Sequence, residues 1–316
     1  MDDGVVQTAL SRARLKRALH VCGAILCLLA VALLLRRGLA LGDALGESLT
    51  RIAPAAFAAA LGLYVGASLL LGLVWCLLVR MVADARPRFR PLFAAHLRAQ
   101  LAKYLPGNVF HLAYRHLATR GEGVGHRALV LALALESVFV VAAAAILALG
   151  VASDPRLDAL TPHVHQLIWA APLLALVAWI GVTIGARRWR AGRSARGVAA
   201  SAAAALAIDI VFFILAGCAL RLLSEHPAAL PIEAWLGWLA LAWAAGYVTP
   251  GAPAGLGLRE AVLVLALAPP LGDADALAIV LAYRLLTLMA DGILALTGFV
   301  LSRDRSAVGS APPARS

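Results

Sequence analysis

Charge is the first thing this sequence has little of. Of its 316 residues 14% are Asp, Glu, Lys or Arg, against 62% that are hydrophobic, and the mean hydropathy is +0.87. Soluble domains carry about 25% charged residues, so a water-soluble globular fold is excluded. The chain reads as an integral membrane protein. Cysteine is also sparse, and Cys22, Cys27, Cys76 and Cys218 all lie inside apolar runs, without a C-x-x-C pair or a neighbouring histidine set. That excludes a disulfide framework or a thiolate metal centre, and the four read as small buried hydrophobes. Motifs of soluble catalysis are missing too: there is no G-x-S-x-G, H-E-x-x-H or P-loop. Gly255-Leu256-Gly257 is no dinucleotide fingerprint, because no strand precedes it. No cofactor and no metal are expected.

Acidic residues are outnumbered, 17 against 28 basic, for a net charge of +11. The basic residues sit in short clusters between apolar runs, with no aromatic-basic stripe, which argues against nucleic acid. They report membrane orientation instead, because Lys and Arg collect in short cytoplasmic loops.

What the sequence does have is length in its apolar runs. About 20 residues cross the hydrocarbon, and full spans are expected at Leu19 to Leu35, Pro54 to Val79, Ala128 to Gly150, Leu167 to Gly185, Val198 to Leu223 and Ala276 to Leu301. The basic stretch RARLKR before the first resembles a signal-peptide start, but no small-residue cleavage site follows Leu35, so the run is read as a transmembrane helix. Gly62-x-x-x-Gly66 and Gly181-x-x-x-Gly185 are read as small-residue helix contacts. His163 and His165, without acidic or cysteine partners, are read as surface histidines.

Two further segments, Leu92 to Leu117 and Ala234 to Ala268, are apolar but broken, the first by KYLPGN (Lys103 to Asn108) and the second by TPGAPAGLG (Thr249 to Gly257). The second helix ends at Arg80, Arg86, Arg88 and Arg90, and in the first broken segment Arg98 and Lys103 precede the break while Arg115, Arg120 and Arg127 follow it. Both its ends therefore favour the cytoplasm, which makes it a re-entrant hairpin. The loop at Val151 to Gln166 is poor in basic residues, RRWRAGRSARG carries five arginines in eleven residues, and SEHPAALPIE carries none. With both termini inside, the second broken segment begins and ends outside. Arg36 and Arg37, placed outside, are exceptions to the rule.

The expected fold class is therefore all-α and polytopic, with six full spans and two re-entrant hairpins in an inverted-topology repeat, the halves covering about residues 1–150 and 151–301. The alternative is eight ordinary spans. Residues 302–316 are expected to form a disordered cytoplasmic tail. Inverted repeats with broken helices characterise many secondary transporters, because two opposed gates let one midplane site face either side.

Broken backbone inside a membrane must be satisfied by protein, cavity water or ligand. The half-helix starts at Gly107 and Asn108, and at Gly255 and Gly257, turn amides and the positive dipole end inward, which favours an anion. Basic side chains flank each break: Lys103, His111 and Arg115 at the first, Arg259 at the second. For Lys103 and Arg115 the alternative is snorkelling to the surface. Glu136, Asp209, Arg284 and Asp291 fall within full spans, where ionisable groups usually face the bundle interior with a partner. Glu136 with Arg284 and Asp209 with Arg259 are candidate pairs, and purely structural ion pairs are the alternative.

KYLPGN, Glu136, PGAPAGLGLRE (Pro250 to Glu260) and the arginine of AYRLLTL (Ala282 to Leu288) together resemble the transmembrane, flippase-like domain of lysylphosphatidylglycerol synthases. The resemblance covers most of the chain and is to stand-alone members, without the soluble aminoacyl-transferase domain. It implies a lipid translocator in a bacterial cytoplasmic membrane, with partners among anionic lipids such as phosphatidylglycerol-type or polyprenyl phosphate and among enzymes of lipid or glycan biosynthesis. It also adds Tyr104, Pro106, Pro250, Gly251 and Glu260 to the candidate site. The pattern departs from the family at Ala252, Pro253 and Ala254, where Pro-Gly-Gly-hydrophobic-Gly is usual, and at Ser137 and Val140, where Arg and Asp often follow the glutamate. Glu136 therefore needs a partner on another helix. The other function classes left open are an intramembrane transferase using Glu136 or Glu260 as base, and a non-transporting scaffold.

Overall fold

The computed structural model describes residues 21, 25, 28–84, 86–105, 110–159, 166, 168–170, 173, 176–177, 179–181, 184–185, 195–249 and 253–308. Among these there is no strand, and four helices are long and apolar enough to cross a membrane. The protein is all-α and membrane-embedded. The four correspond to the expected spans at Pro54, Ala128, Val198 and Ala276. Those at Leu19 to Leu35 and Leu167 to Gly185 are described only in part and are not among the four, and RARLKR, Cys22, Cys27, His163, His165 and most of RRWRAGRSARG lie outside the described residues.

A helical stretch at 28–41 leads into a short polar helix, α1 (Asp43–Arg51), and then α2 (Pro54–Val82). Pro54 opens α2 at its first turn, where the missing N–H removes no helical hydrogen bond. The first broken segment comes next: α3 (Phe89–Ala99), a 3-10 turn (Gln100–Tyr104) and α4 (Phe110–Arg120). After α5 (His126–Ala148) and α6 (Ala195–Leu222) comes the second, α7 (Ile232–Val248), a turn at Pro253–Gly255 and α8 (Leu258–Leu271). The chain's longest helix, α9 (Asp273–Val308), closes the bundle. At 1.5 Å per residue α3 and α4 are each about 16 Å long, far short of a ~30 Å hydrocarbon core.

Helix α9 runs on through 302–308, so the tail expected to be disordered from residue 302 is helical at its start. Extending an existing helix costs little compared with nucleating one. Residues 309–316 lie outside the described set.

Three contacts tie down the outer parts of the broken segments. Arg88, just before α3, lies 3.5 Å from Glu122, just after α4, so the ends of the first segment sit side by side. In the second, Asp154 and Arg156, just past α5, touch both arms: the Trp238 indole on α7 donates to Asp154 at 3.2 Å, and Arg156 donates to the carbonyl of Ala266 on α8. Burial works against an ionised Asp154, but hydrogen bonds from Arg156 and Trp238 prevail and hold its carboxyl below the usual carboxylate range.

The helices pack in matched pairs. Helix α2 lies against α6, α5 against α7, and α9 against α3; each broken segment folds back on itself, α3 on α4 and α7 on α8. Exchanging the two halves of the chain carries this set of contacts into itself. Large aromatics, including Trp235, Trp238, Phe212 and Phe213, fill one core cluster, and Trp75, Leu92 and Phe139 a second. Leu73, Val130, Leu285 and Phe299 face outward from the long helices, as expected where the solvent is lipid.

Some expected features read differently in the folded chain. A Cβ at Gly62, Gly66, Gly181 or Gly185 would meet nothing within 4 Å, so among the described residues these glycines make no internal helix contact. Arg37, an exception to the charge rule, forms an ion pair with Asp273 at the start of α9.

Candidate functional site

Both broken segments open onto one cavity of about 120 Å³, room for several waters. Lys103 and Tyr104 reach it from the first turn, and His111 and Arg115 from α4; Glu136 belongs to α5 and Asp209 to α6. Gly255 at the second turn, Arg259 on α8, and Arg284 and Asp291 on α9 complete the sequence-expected set. Glu260 sits one residue beyond Arg259, beside a smaller space that it shares with Arg259 and Arg284. Pro106, Gly107, Asn108, Pro250 and Gly251 lie outside the described residues.

Close backbone approach shapes the second break. Gly246 on α7 packs so tightly on Gly255 that a Cβ there would stand 2.9 Å from the Gly255 Cα. Ala254 is held at φ 50°, a left-handed conformation that costs a non-glycine residue about 1–2 kcal/mol. The carbonyl of Ala254 faces Arg284 at 3.5 Å.

At the first break both long cations are ion-paired, although the Nε of Arg115 and the Nδ1 of His111 are buried without a hydrogen-bond partner among the described residues. Lys103 donates to Asp291 at 2.7 Å, and the Tyr104 hydroxyl donates to the other oxygen of the same carboxylate. Arg115, which is buried, binds Glu136 at 2.7 Å, donates to His96 at 3.1 Å and lies 4.6 Å from the Trp75 ring centroid. Neither cation snorkels. The expected pairing of Glu136 with Arg284 is replaced by Glu136 with Arg115, because α4 packs on α5 and brings the arginine to the glutamate.

The second break is different. Glu260 accepts the Gly257 N–H at 2.6 Å and pairs with Arg284 at 3.4 Å. It therefore caps α8 itself, so the amide of Gly257 is not free for an anion. Arg259 has no carboxylate within 4 Å among the described residues; its guanidinium lies 5.8 Å from the Trp243 ring centroid, and its Nε is buried without a hydrogen-bond partner. One terminal nitrogen of Arg284 is also buried and unpartnered. Asp209 does not pair with Arg259, and neither of its carboxylate oxygens has a partner. Buried polar groups are nearly always satisfied, so each exception asks for an explanation.

Sequence reasoning missed the uncharged part of the wall. Tyr64, His96, Gln100, Trp243, Tyr247 and Thr287 also line the cavity. Trp243 and Tyr247, four residues apart on α7, stack at 4.7 Å, and the Tyr247 hydroxyl hydrogen-bonds Ser137 at 2.8 Å. The available signal was the placement of polar-tipped aromatics on one helix face just before a break. As bases for a transferase, Glu136 and Glu260 are both engaged in ion pairs. No protein-family model and no curated protein matches the chain.

Proposed function

We propose that the protein is a membrane lipid translocator that receives an anionic head group, such as that of a phosphatidylglycerol-type lipid or a polyprenyl phosphate, between its two broken segments. The observation that carries this reading is the pair Arg259 and Arg284, whose buried, unpartnered guanidinium nitrogens line the cavity. Guanidinium groups bind phosphate through charge-assisted hydrogen bonds, often two at once. The acyl or prenyl tail stays in lipid while the head passes through.

On this reading the broken segments are re-entrant hairpins from opposite faces. The adjacency of Arg88 and Glu122 supports this for the first, and the shared contacts of Asp154 and Arg156 with α7 and α8 support it for the second. Contacts that are preserved when the halves are exchanged suit an inverted repeat, in which alternating access opens one side and then the other. The charge pattern favours both termini in the cytoplasm, and the family resemblance implies a bacterial cytoplasmic membrane. The resemblance to the flippase-like domain of lysylphosphatidylglycerol synthases points the same way, since Lys103, Tyr104, Glu136, Gly255, Arg259 and Arg284 of the residues that carry it line this cavity.

The test is reconstitution into vesicles of neutral phospholipid with a trace of fluorescent anionic phospholipid. Faster exposure of the dye to a membrane-impermeant quencher than in empty vesicles is the expected result, with a loss of at least about tenfold in Arg259→Ala. Movement no faster than in empty vesicles, for both anionic phospholipid and polyprenyl phosphate, would overturn the proposal.

A further inference from the structure

We infer that Asp209 is a proton-binding site that couples movement of the anionic head to a proton gradient. This rests on the translocator reading and supplies its energy source. Asp209 stands near the middle of α6, is 0% exposed and lines the cavity. It differs from every other carboxylate at the site. Glu136 is held by Arg115, Asp291 by Lys103 and Tyr104, and Glu260 by the Gly257 amide and Arg284. Neither oxygen of Asp209 has a donor among the described residues.

Among the described residues no cation pairs with it. From α5 the Glu136 carboxylate acts on it, a charge of like sign. Helix α7 presents Tyr247, engaged with Ser137, and α2 presents Tyr64 and Ser68. Arg115 of α4 is taken by Glu136, and Lys103 of the first turn by Asp291. His96 and His111, from α3 and α4, share the cavity, as do Arg259 of α8 and Arg284 of α9; none of them bonds to Asp209. Tyr283 of α9 gives its hydroxyl proton to the Ala216 carbonyl of α6. A lone carboxylate in such a place carries a large desolvation cost, which a neutral carboxylic acid avoids.

On this inference Asp209, buried and without a donor among the described residues, carries its proton in the structure described. When the cavity opens and floods, the carboxyl O–H breaks, the proton passes to water as hydronium and the carboxylate remains. An ionised Asp209 repels an anionic head and a neutral one admits it, so head and proton enter and leave together, one proton per lipid. A gradient of two pH units would then drive accumulation of a singly charged head by up to about 100-fold.

Two measurements on the full chain test this. Infrared difference spectra of purified protein near pH 7 should show a protonated-carboxyl stretch that moves in heavy water, is lost in Asp209→Asn and returns in Asp209→Glu. In vesicles, an imposed pH gradient should speed fluorescent anionic phospholipid in the wild type and leave Asp209→Asn at a rate insensitive to the gradient. Absence of the band overturns the inference whether or not lipid moves. Movement that ignores the gradient removes the coupling alone, and the translocator reading survives. A band without any lipid movement removes the coupling and the translocator reading together.

Discussion

The two breaks meet at one cavity but treat charge in opposite ways. At the first, Lys103 and Arg115 are each bound by a carboxylate at 2.7 Å. At the second, Arg259 has aromatic company only, and Arg284 shares Glu260 with the helix cap. The long cations of the first break are thus each matched by a carboxylate, while at the second Arg259 has none within 4 Å among the described residues. What separates them is where the acids stand. Asp291 and Glu136 project from α9 and α5 onto the first break, while the second break's nearest acid, Glu260, is spent on its own helix.

The comparison breaks most visibly at the locked side. Removing Glu136 by substitution to Ala leaves Arg115 buried without its carboxylate, an error that typically costs about 3–5 kcal/mol. Thermal unfolding in detergent should show a large drop in midpoint for Glu136→Ala and a smaller one for the double variant with Arg115→Met. At the open side the effect should fall on binding and not on folding. Arg259→Gln should leave the unfolding midpoint within the scatter of surface variants, yet weaken anion recognition at least tenfold, about 1.4 kcal/mol, in a titration with a short-chain anionic phospholipid. If Arg259→Gln instead unfolds the protein, the contrast between the breaks is wrong.

Smaller effects sharpen the picture. The Asp154 and Arg156 clamp contributes stability through a carboxyl whose folded value lies below its unfolded one. That contribution is complete above the ordinary carboxylate range near 3.9 and is lost as the pH falls through the lower folded value. Asp154→Asn should therefore lower stability at neutral and alkaline pH, where that contribution is complete, and flatten the acid side of the profile, so that variant and wild type converge at low pH. At the second break, Ala254→Gly removes the left-handed strain at φ 50° but frees the unfolded chain, so the net gain should be no more than about 1 kcal/mol. An unfolding midpoint that falls for Ala254→Gly would mean that the methyl group packs usefully.

Much of this was legible in the sequence because membrane helices obey few rules. Run length sets the spans, and a proline or glycine within a run marks a break that must be buried or wet. Glu136, Asp209, Arg284 and Asp291 were identifiable because an ionisable group at depth has few places to go, and all four line one cavity. Their partners were not legible. Helical periodicity says which residues share a face of one helix, but not which helix that face meets. Arg115 reaches Glu136 only because α4 folds back onto α5, and Lys103 reaches Asp291 across 188 residues of chain. The same limit misled the reading of Gly62 and Gly66, whose spacing suits a helix contact although their face meets none. It also hid Trp243 and Tyr247, which look like ordinary apolar residues until their face is seen to line the cavity.

The central claim is that two hairpins enter from opposite faces and share one cavity. In a cysteine-free background, single cysteines replacing Arg90, Arg120, Ile232 and Leu271 can be labelled in intact and inside-out vesicles with an impermeant maleimide. Positions 90 and 120 should react from the same face, and 232 and 271 from the other. Labelling of 90 and 120 from opposite faces would contradict the claim, because the first broken segment would then cross the membrane and the inverted arrangement would not exist.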